Sequence, residues 1–377
     1  MSNQEPKDFG YGEEQDMLKT AAQRFIADQN PLEKLRKAIS GSEDPYLGSE
    51  RPPYFDTEAW QEMGALGWSA LAVPERCGGA EMGLVTAVAL AEEVGAAAMP
   101  TPLSTTLQST FLLSAMASAE SDALLTRIAE GAAVTWGASN AAGSLNITDT
   151  SVRCDGERLS GTVHLVQDLA KSGTVVVAAS EGAGVSWHAV DVSAEGVEAH
   201  ADRIVDLTRD QGRLELDGAL SQRLTSAADG TTAYDRALPA LLTLAAADIA
   251  GAAEWMLQTT AEYAKTRVQF DRPIGFFQAV KHPVVDMMIS ADQTRSLVYA
   301  AASAFDHNPA DALRLARLAK SSASDTAEFC ANRGTQLHGG IGFTWESDVQ
   351  IYHKRLIHTQ HWLGDGVAQR AALAELI

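Results

Sequence analysis

A β-rich stretch between two helical regions constrains the fold of this chain more than any other feature of its sequence. Between residues 133 and 220, β-branched runs such as GTVVVAAS and VSWHAVDV are separated by Gly, Asp and Ser, which indicates strands of an antiparallel sheet or small barrel. Residues 13–130 and 229–377 instead place apolar side chains at helical spacing. The pattern predicts an α+β, multi-layer chain with three domains: helical 1–132, β-sheet 133–225 and helical 226–377.

The last domain has the pattern of a helical bundle. Long helical stretches cover 229–266, 277–306 and 309–334, and a shorter pair follows, which predicts a four-helix bundle. The run LPALLTLAAADIAGAAEWML at 238–257 is apolar enough to compare with a membrane span, but Asp248 interrupts it. We therefore expect a buried core helix and no membrane insertion.

Charge and cysteine content narrow the classes of partner. A formal net charge of −20 over 377 residues gives a surface that repels nucleic acid and anionic lipid, so neither is an expected partner. The chain has three cysteines, Cys77, Cys154 and Cys330. They are few and far apart, which favours a reducing cytoplasm over a disulfide framework. Neither the cysteines nor His353, His358 and His361 have metal-ligand spacing, so no metal is expected.

The segment KTRVQFDRPIGFFQAVKH at 265–282 is the first that points to a ligand. A long helix ends in Arg267, Phe270 and a turn at 271–273 follow, and a second helix opens with Phe277 and Gln278. An arginine binds a pyrophosphate through two parallel N–H donors, and a nearby ring and amide suit an adenine or a ribityl chain. The alternative is a helix–turn–helix corner with a surface arginine.

A second segment, QLHGGIGF at 336–343, follows another predicted helix. Gln336 precedes Gly339 and Gly340, and paired glycines let a ligand approach the backbone closely. The alternative is an ordinary helix end with a left-handed glycine. Because this GGIG follows a helix and not a strand, a dinucleotide-binding Rossmann domain is not expected.

These segments resemble motifs of the acyl-CoA dehydrogenases, the FAD-dependent α,β-desaturases of acyl-CoA thioesters. RVQFDRPIGFFQ resembles the family's RxxFGxPIxxFQ, QLHGGIGF its QxxGGxGF, and VPERCGG at 73–79 its VPExxGG. The motifs occur in the family's order, along nearly the whole chain. The resemblance implies an N-terminal helical domain, a middle β-domain and a C-terminal four-helix bundle that mediates oligomer contacts.

In this family, the first two motifs of one subunit hold the adenosine diphosphate end of an FAD that is seated mainly in a neighbouring subunit. The resemblance therefore assigns cofactor binding to ten residues: Arg267, Gln269, Phe270, Ile274, Phe277, Gln278, Gln336, Leu337, Gly339 and Gly340. Asp271 replaces the family's usual glycine. Its carboxylate is expected either to pair with Arg272 or to face away.

The family's reaction needs a carboxylate, because the α-proton of a thioester is only weakly acidic. The family places a Glu in one of two locations. One is a late turn that aligns through Gly364 and puts Leu363 at the base position; the other lies 26 residues before the RxxF arginine, which is Leu241 here. Neither leucine can take a proton, so no base is expected in this chain unless Asp365, two residues on, takes the role.

The middle domain departs from the family as well. The stretch GASNAAGSLNIT at 137–148 keeps the Ala-Gly-Ser of the family's TEPxAGSD but lacks its Thr-Glu-Pro, and LVQD at 165–168 stands where the family has WITN. These departures predict an eroded flavin pocket in this subunit.

The losses resemble one branch of the family, bacterial α2β2 heterotetramers that act on steroid side-chain CoA thioesters. One subunit type carries the Glu, and the other completes the FAD site across the interface. The resemblance implies a Glu-bearing homologue as partner, an acyl-CoA as substrate and electron-transferring flavoprotein as electron acceptor. Glu346, in the run GGIGFTWE, is expected to be structural and to pair with Lys354 or Arg355.

Two other hypotheses stay open. The chain is either a homomeric acyl-CoA dehydrogenase in which Asp365 is a relocated base, or a non-catalytic scaffold on the same fold that binds neither FAD nor thioester. The joint presence of Arg267, Phe270, Gln278 and Gln336 argues against the scaffold, which has no use for the set.

Overall fold

The computed structural model describes residues 7–40, 54–144 and 146–376 of the chain. Its first part is helical, as expected from the apolar spacing. The helices are α1 (Glu13–Gln29), α2 (Leu32–Ser40), α3 (Thr57–Ala65), α4 (Leu84–Ala96), α5 (Leu103–Met116) and α6 (Ala119–Ala129). Asp56 caps α3, because its side chain accepts a hydrogen bond of 3.0 Å from the Ala59 amide.

The middle part is an eight-stranded sheet in the order β6-β7-β3-β2-β4-β5-β8, with β1 paired to β4. The strands are β1 (Val134–Gly137), β2 (Arg153–Asp155), β3 (Arg158–Gln167), β4 (Thr174–Glu181), β5 (Gly184–Asp191), β6 (Val197–Ala201), β7 (Gln211–Leu220) and β8 (Gln222–Arg223). The prediction of an antiparallel sheet is wrong for two pairs, since β1 and β2 run parallel to β4. Parallel pairing needs a crossover, and a long connection from each strand to β4 supplies it.

Strand β4 is buried on both faces, which explains its unbroken apolar run. Val175, Val177 and Ala179 belong to a core enclosed by the sheet, whereas Val176 and Ala178 belong to the core shared with the helices. Such a strand shows no polar alternation, because both pleat faces exclude water.

The last part contains three long helices and two shorter ones. They are α7 (Gly230–Thr266), α8 (Gln278–His307), α9 (Pro309–His338), α10 (Val349–Thr359) and α11 (Gly366–Ala374). The three long predictions and the shorter final pair are confirmed to within a few residues. The bundle is completed by α10 and α11, which pack on α9, so no fourth long helix occurs in the described residues.

The apolar run at 238–257 lies inside α7. Within the described residues, α7 is the one helix long and apolar enough to cross a membrane, and 89% of its most apolar window is buried inside the protein. Two glycines bring α7 against α4: a Cβ on Gly251 would lie 1.9 Å from the Glu92 carbonyl oxygen, and one on Gly95 would lie 2.1 Å from that of Asp248. The prediction of a buried core helix is confirmed.

A buried ion cluster joins the sheet to the bundle. Asp248 of α7 binds Arg355 of α10 through contacts of 2.8 and 3.2 Å, and it also binds Arg209, from the β6–β7 connection. Arg355 also donates to the Thr208 hydroxyl at 2.9 Å. Burial by itself would raise the pKa of Asp248, but the charges of Arg209 and Arg355 outweigh it and lower that pKa.

The substitution Asp248→Ala should destabilise the protein by about 3–5 kcal/mol, because it leaves two arginines buried without their carboxylate. Chemical denaturation of the wild type and the variant measures the change in the free energy of unfolding. The control is Asp311→Ala, which removes an exposed i,i+3 partner of Arg314 and should cost no more than about 1 kcal/mol. Equal losses in the two variants would contradict the assignment of the cluster as the anchor between sheet and bundle.

Candidate functional site

Arg267 opens a short exposed hairpin directly after α7. Strands β9 (Val268–Gln269) and β10 (Arg272–Pro273) pair antiparallel. The two residues between them, Phe270 and Asp271, have φ values of 56° and 59°. Positive φ at both positions is the backbone of a type I′ turn, which favours glycine at its second position. Asp271 therefore holds a strained conformation where the family resemblance leads one to expect glycine.

The side chains of Asp271 and Arg272 do not form an ion pair with each other at this turn. The Arg272 guanidinium carbon lies 4.2 Å from the centre of the Phe276 ring, so the cation stacks on the aromatic face. Asp271 is exposed and forms no ion pair with any residue in the described part of the chain. The expected pairing of Asp271 with Arg272 is therefore not observed in the described part of the chain.

Aromatic rings and an unpaired cation form the outer surface of the hairpin. Phe270 is 84% exposed, and its ring meets Phe277 edge to face at 5.9 Å. The Arg267 side chain is exposed and has no hydrogen bond or ion pair within residues 7–40, 54–144 and 146–376. Gln278, the first residue of α8, is also exposed, and Ile274 lies half-buried beside it. This surface suits an anionic ligand that also carries a flat ring.

The second motif ends α9. Gln336 and Leu337 lie in the last turn of the helix, and Gly339 follows with φ 66° and ψ −146°. That backbone conformation is essentially restricted to glycine. A Cβ built on Gly339 or on Gly340 would meet nothing within 4 Å, so the backbone here is open to close approach by a ligand.

The structure brings both motifs to the same end of the bundle. Tyr263, in the last turn of α7, stacks on His338, in the last turn of α9, with ring centres 4.4 Å apart. The Tyr263 hydroxyl donates to the His338 carbonyl at 3.4 Å. Arg267 lies four residues after Tyr263, and Gln336 lies two before His338. The contact therefore links the two cofactor-binding predictions, which are separated by many residues in the sequence.

The late turn holds a buried leucine at the first base position. Leu363 has φ 59°, is 9% exposed and belongs to the main core. Its carbonyl accepts a hydrogen bond from the Gln369 side chain. Asp365 directly precedes α11, and its carboxylate accepts a hydrogen bond of 2.9 Å from the Ala368 amide. The Asp365 carboxylate is thus engaged as a helix N-cap.

A buried lysine, which the sequence reasoning missed, holds this turn. The Lys320 ammonium donates to the carbonyls of Gln360 and Gly364 and to the Ser324 hydroxyl, each at 2.8 Å. Burial lowers the pKa of Lys320 from 10.5 to about 7, although the Asp365 charge acts in the opposite direction. The available signal is positional: Lys320 falls at helical spacing from Ala316 and Ala323, on the buried face of α9.

The second base position is also a core leucine. Leu241 lies on α7 with no exposed surface, and its carbonyl accepts a hydrogen bond of 2.8 Å from the Gln108 side chain. The Trp136 indole donates to the same Gln108 side chain at 3.1 Å. Residue 241 therefore sits in an apolar core that offers no carboxylate.

The LVQD stretch of the middle domain is engaged within the protein. Asp168 pairs with Lys171 at 3.0 Å and accepts a hydrogen bond of 3.0 Å from the Thr105 hydroxyl. Leu165 reaches the Ala-Gly-Ser stretch, since a Cβ on Gly143 would lie 3.3 Å from its side chain. One residue of the 137–148 stretch, Leu145, lies outside the described residues.

One of the two expected partners of Glu346 is decided by the side-chain contacts. The predicted pairing of Glu346 with Arg355 is wrong, because Arg355 is fully buried on Asp248 while Glu346 is exposed. Lys354 donates to Gln350 at 2.6 Å, and its ammonium lies 4.2 Å from the centre of the Trp345 ring.

Arg209 occupies the region beside the late turn and was also missed by the sequence reasoning. Its guanidinium carbon lies 5.3 Å from the centre of the Trp362 ring, and the residue is 6% exposed. Trp362 directly precedes Leu363, so the ion cluster on Asp248 extends to the turn where the family places a base. Nothing in the local sequence around Arg209 marks this contact, which depends on how the sheet docks on the bundle.

Known proteins share both the sequence and the three-part fold. Residues 12–132 match the acyl-CoA dehydrogenase N-terminal domain and residues 228–377 match the acyl-CoA dehydrogenase C-terminal domain. The acyl-CoA dehydrogenase IpdE2 of Mycobacterium tuberculosis is 33% identical over 347 residues, which cover 91% of each chain. The chain belongs to the acyl-CoA dehydrogenase family.

Two solved structures are similar along nearly their whole length. A variant of the Tcur3481–Tcur3483 steroid ACAD has a TM-score of 0.84 and 28% sequence identity, over 97% of this chain and 98% of that chain. The ChsE4–ChsE5 complex from Mycobacterium tuberculosis has a TM-score of 0.85 and 25% identity, over 98% of each chain. The fold expected from the sequence is confirmed.

FAD is the cofactor that family membership implies. The hairpin and the α9 terminus fit part of such a group: Arg267 offers unpaired donors for a diphosphate, and Gly339 and Gly340 leave the backbone open. The region of the late turn offers no such opening, because Leu363 and Arg209 are buried against protein. The residues therefore fit one end of the cofactor, presented on an outer surface.

Replacing Lys320 by Met should change how stability depends on pH. The unfolded chain holds the lysine proton up to about pH 10.5, whereas the folded chain releases it near pH 7, so this site adds stability as pH rises between those values. The gain is at most about 1.4 kcal/mol per pH unit. Denaturation at pH 7 and pH 9 should show this gain in the wild type and lose it in Lys320→Met. Replacing the exposed Lys265 by Met should preserve it; parallel pH curves for wild type and Lys320→Met would contradict the assignment.

Proposed function

We propose that this chain is the subunit without a catalytic base in a hetero-oligomeric, FAD-dependent acyl-CoA dehydrogenase. One observation carries the proposal. Both family base positions hold buried leucines, Leu363 and Leu241, while the Arg267 surface is open and unpaired. A chain of this kind lacks the proton acceptor but keeps the part of the cofactor site that serves a neighbouring subunit.

The chemistry explains why a partner is needed. Desaturation takes a proton from the α-carbon and a hydride from the β-carbon of the thioester, and bound FAD accepts the hydride. A leucine cannot accept the proton, so the carboxylate has to come from the partner chain. In this chain, Arg267 would pair with the diphosphate, Phe270 and Phe277 would face the adenosine end, and Gly339 and Gly340 would let it approach the backbone.

An exposed apolar surface around the two motifs supports a partner subunit. Val268 and Phe276, in the first motif segment, are 54% and 58% exposed, and Phe343, in the second, is 75% exposed. A cluster of this kind is typical of a protein–protein interface. The similarity to the ChsE4–ChsE5 complex also supports a hetero-oligomer. We infer that the other chain is a Glu-bearing homologue, in an α2β2 arrangement.

Substrate, electron acceptor and location follow from the relatives and from the composition. The similarity to a steroid ACAD supports a bulky, steroid-type acyl-CoA as the substrate. Electron-transferring flavoprotein is the electron acceptor that fits this class of enzyme. The chain's acidic composition and its free cysteines fit the cytoplasm.

The chain produced alone should hold little FAD and show no turnover, and both should appear after co-expression with a Glu-bearing homologue. Flavin absorbance per protein chain, followed by reduction of that flavin with acyl-CoA, measures both properties. A ratio near one flavin per two chains in the complex is the expected result. Strong flavin absorbance and turnover by the lone chain would contradict the proposal.

Replacing Arg267 by Ala should weaken FAD binding by the co-expressed complex roughly 10- to 100-fold, as expected for the loss of a charge-assisted contact of about 1.5–3 kcal/mol. Retained flavin after dialysis, and titration of the stripped complex with FAD, measure the loss. The matched control is Arg314→Ala. In the wild type, Arg314 is exposed and pairs with Asp311, away from the motifs. Unchanged FAD content in Arg267→Ala would favour the non-catalytic scaffold instead.

A homomeric enzyme with Asp365 as its base is the second candidate, since this carboxylate lies only two residues past Leu363. Replacing Asp365 by Asn separates the two ideas, because Asn caps a helix as well as Asp does but cannot accept the proton. In the complex that carries Asp365→Asn, we expect acyl-CoA to reduce the bound flavin at the wild-type rate. Loss of reduction with FAD content intact would identify Asp365 as the base.

A further inference from the structure

Three potential metal ligands that are far apart in the sequence lie close together at one end of the curled sheet. Cys154 is on β2, Glu181 ends β4, and His188 is on β5. Their ligand atoms all lie within 4.8 Å of one another. The parallel pairing of Arg153 with Ser180 places the next residues, Cys154 and Glu181, side by side. The cluster plays no part in the cofactor surface, and its test does not depend on the proposed function.

The hydrogen bonds around His188 indicate which ring nitrogen carries the proton and which carries the lone pair. The Ser221 hydroxyl uses its only hydrogen on the Glu157 carbonyl at 3.0 Å, so toward His188 Nδ1, also at 3.0 Å, it acts as an acceptor. Nδ1 therefore carries the ring proton, and Nε2 keeps its lone pair. A neutral imidazole held by a bond to its other nitrogen is the form in which histidine binds metals.

The geometry requires only a small closure of the cluster. Zinc bonds of about 2.0–2.3 Å place tetrahedral ligands about 3.3–3.8 Å apart. The Ser186 hydroxyl now lies 2.9 Å from His188 Nε2 and occupies the position that a metal would take. Cys154 is only partly buried, and Glu181 sits at the end of its strand next to the β4–β5 turn, so both side chains have room to rotate.

Cys154 and Glu181 can supply two negative charges to a divalent cation, against the single positive charge of Arg223. Arg223 binds both oxygens of Glu181, with Nη2 2.7 Å from Oε1, and lies 3.7 Å from the Cys154 sulfur. When a cation binds, the Cys154 thiol loses its proton to solvent, and one Glu181 oxygen turns from Arg223 to the metal while the other keeps the arginine. A thiolate, a carboxylate and a neutral imidazole favour zinc over magnesium or calcium, which prefer oxygen ligands alone.

We propose that Cys154, Glu181 and His188 form a Zn²⁺ site, with water as the fourth ligand and with Ser221 and Arg223 orienting His188 and Glu181. The site would fasten β2, β4 and β5 together at the open end of the sheet.

Cobalt is the probe of choice, because Co²⁺ takes the same tetrahedral sites and a bound thiolate gives a charge-transfer band in the near ultraviolet. The metal-free full chain should develop this band with Co²⁺ and lose it on addition of one equivalent of Zn²⁺. The variants Cys154→Ser and His188→Gln should weaken Co²⁺ binding by more than about tenfold and abolish or strongly reduce the band. Cys77 is a buried cysteine outside the cluster, so the variant Cys77→Ser should retain the charge-transfer band.

The change in Tm on addition of Zn²⁺ is a second readout, which can be compared between variants that differ in stability. Zn²⁺ should raise the Tm of the wild type, because it binds only the folded chain, and should leave the Tm of Cys154→Ser unchanged. His200→Gln tests the exposed Glu198, His200 and Glu215 group and should behave as the wild type does. Absence of the thiolate band, or a band and a Tm shift that survive in Cys154→Ser, would overturn the proposal.

Discussion

The buried carboxylate of Asp248 is the interaction on which the arrangement of the domains depends. It binds Arg209 from the sheet domain and Arg355 from α10, and its backbone carbonyl faces Gly95 of α4. A charge in a low-dielectric interior is tolerated only when its partners are in place together, so the sheet and the bundle must dock in one relative position. Arg209 also lies over the ring of Trp362, so the same cluster contacts the turn where a catalytic base is expected from the family resemblance.

Polar groups near the late turn are buried and hydrogen-bonded within the protein, whereas those of the hairpin are exposed. Near the late turn, Lys320 donates all three of its protons to protein oxygens, and Leu363 fills the base position with an apolar side chain. At the hairpin, Arg267 has no protein partner and Phe270 is almost fully exposed. Proton transfer requires an accessible carboxylate, whereas binding part of a cofactor held by another chain requires an accessible cation. The distribution of burial is what the proposed role as the subunit without a base rests on.

Short-range patterns made much of the fold predictable. The 3.6-residue spacing of apolar side chains located α7, α8 and α9, because such signals depend on neighbours within one helical turn. The direction of β1 and β2 beside β4 was not predictable in this way. Strand pairing depends on which segments meet across the sheet, and the apolar run of β4 fits either direction, because both of its faces are buried.

The sequence by itself determined the family and the order of helical and β-rich parts, and it led to the expectation of leucine at both base positions, since motif spacing and residue identity are properties of the chain alone. Only the tertiary structure decided that Tyr263 and His338 join the two cofactor motifs, and that Cys154 meets His188. These contacts link residues far apart in the chain. Their proximity follows from strand register and helix docking, which burial of the whole core fixes and which no local pattern records.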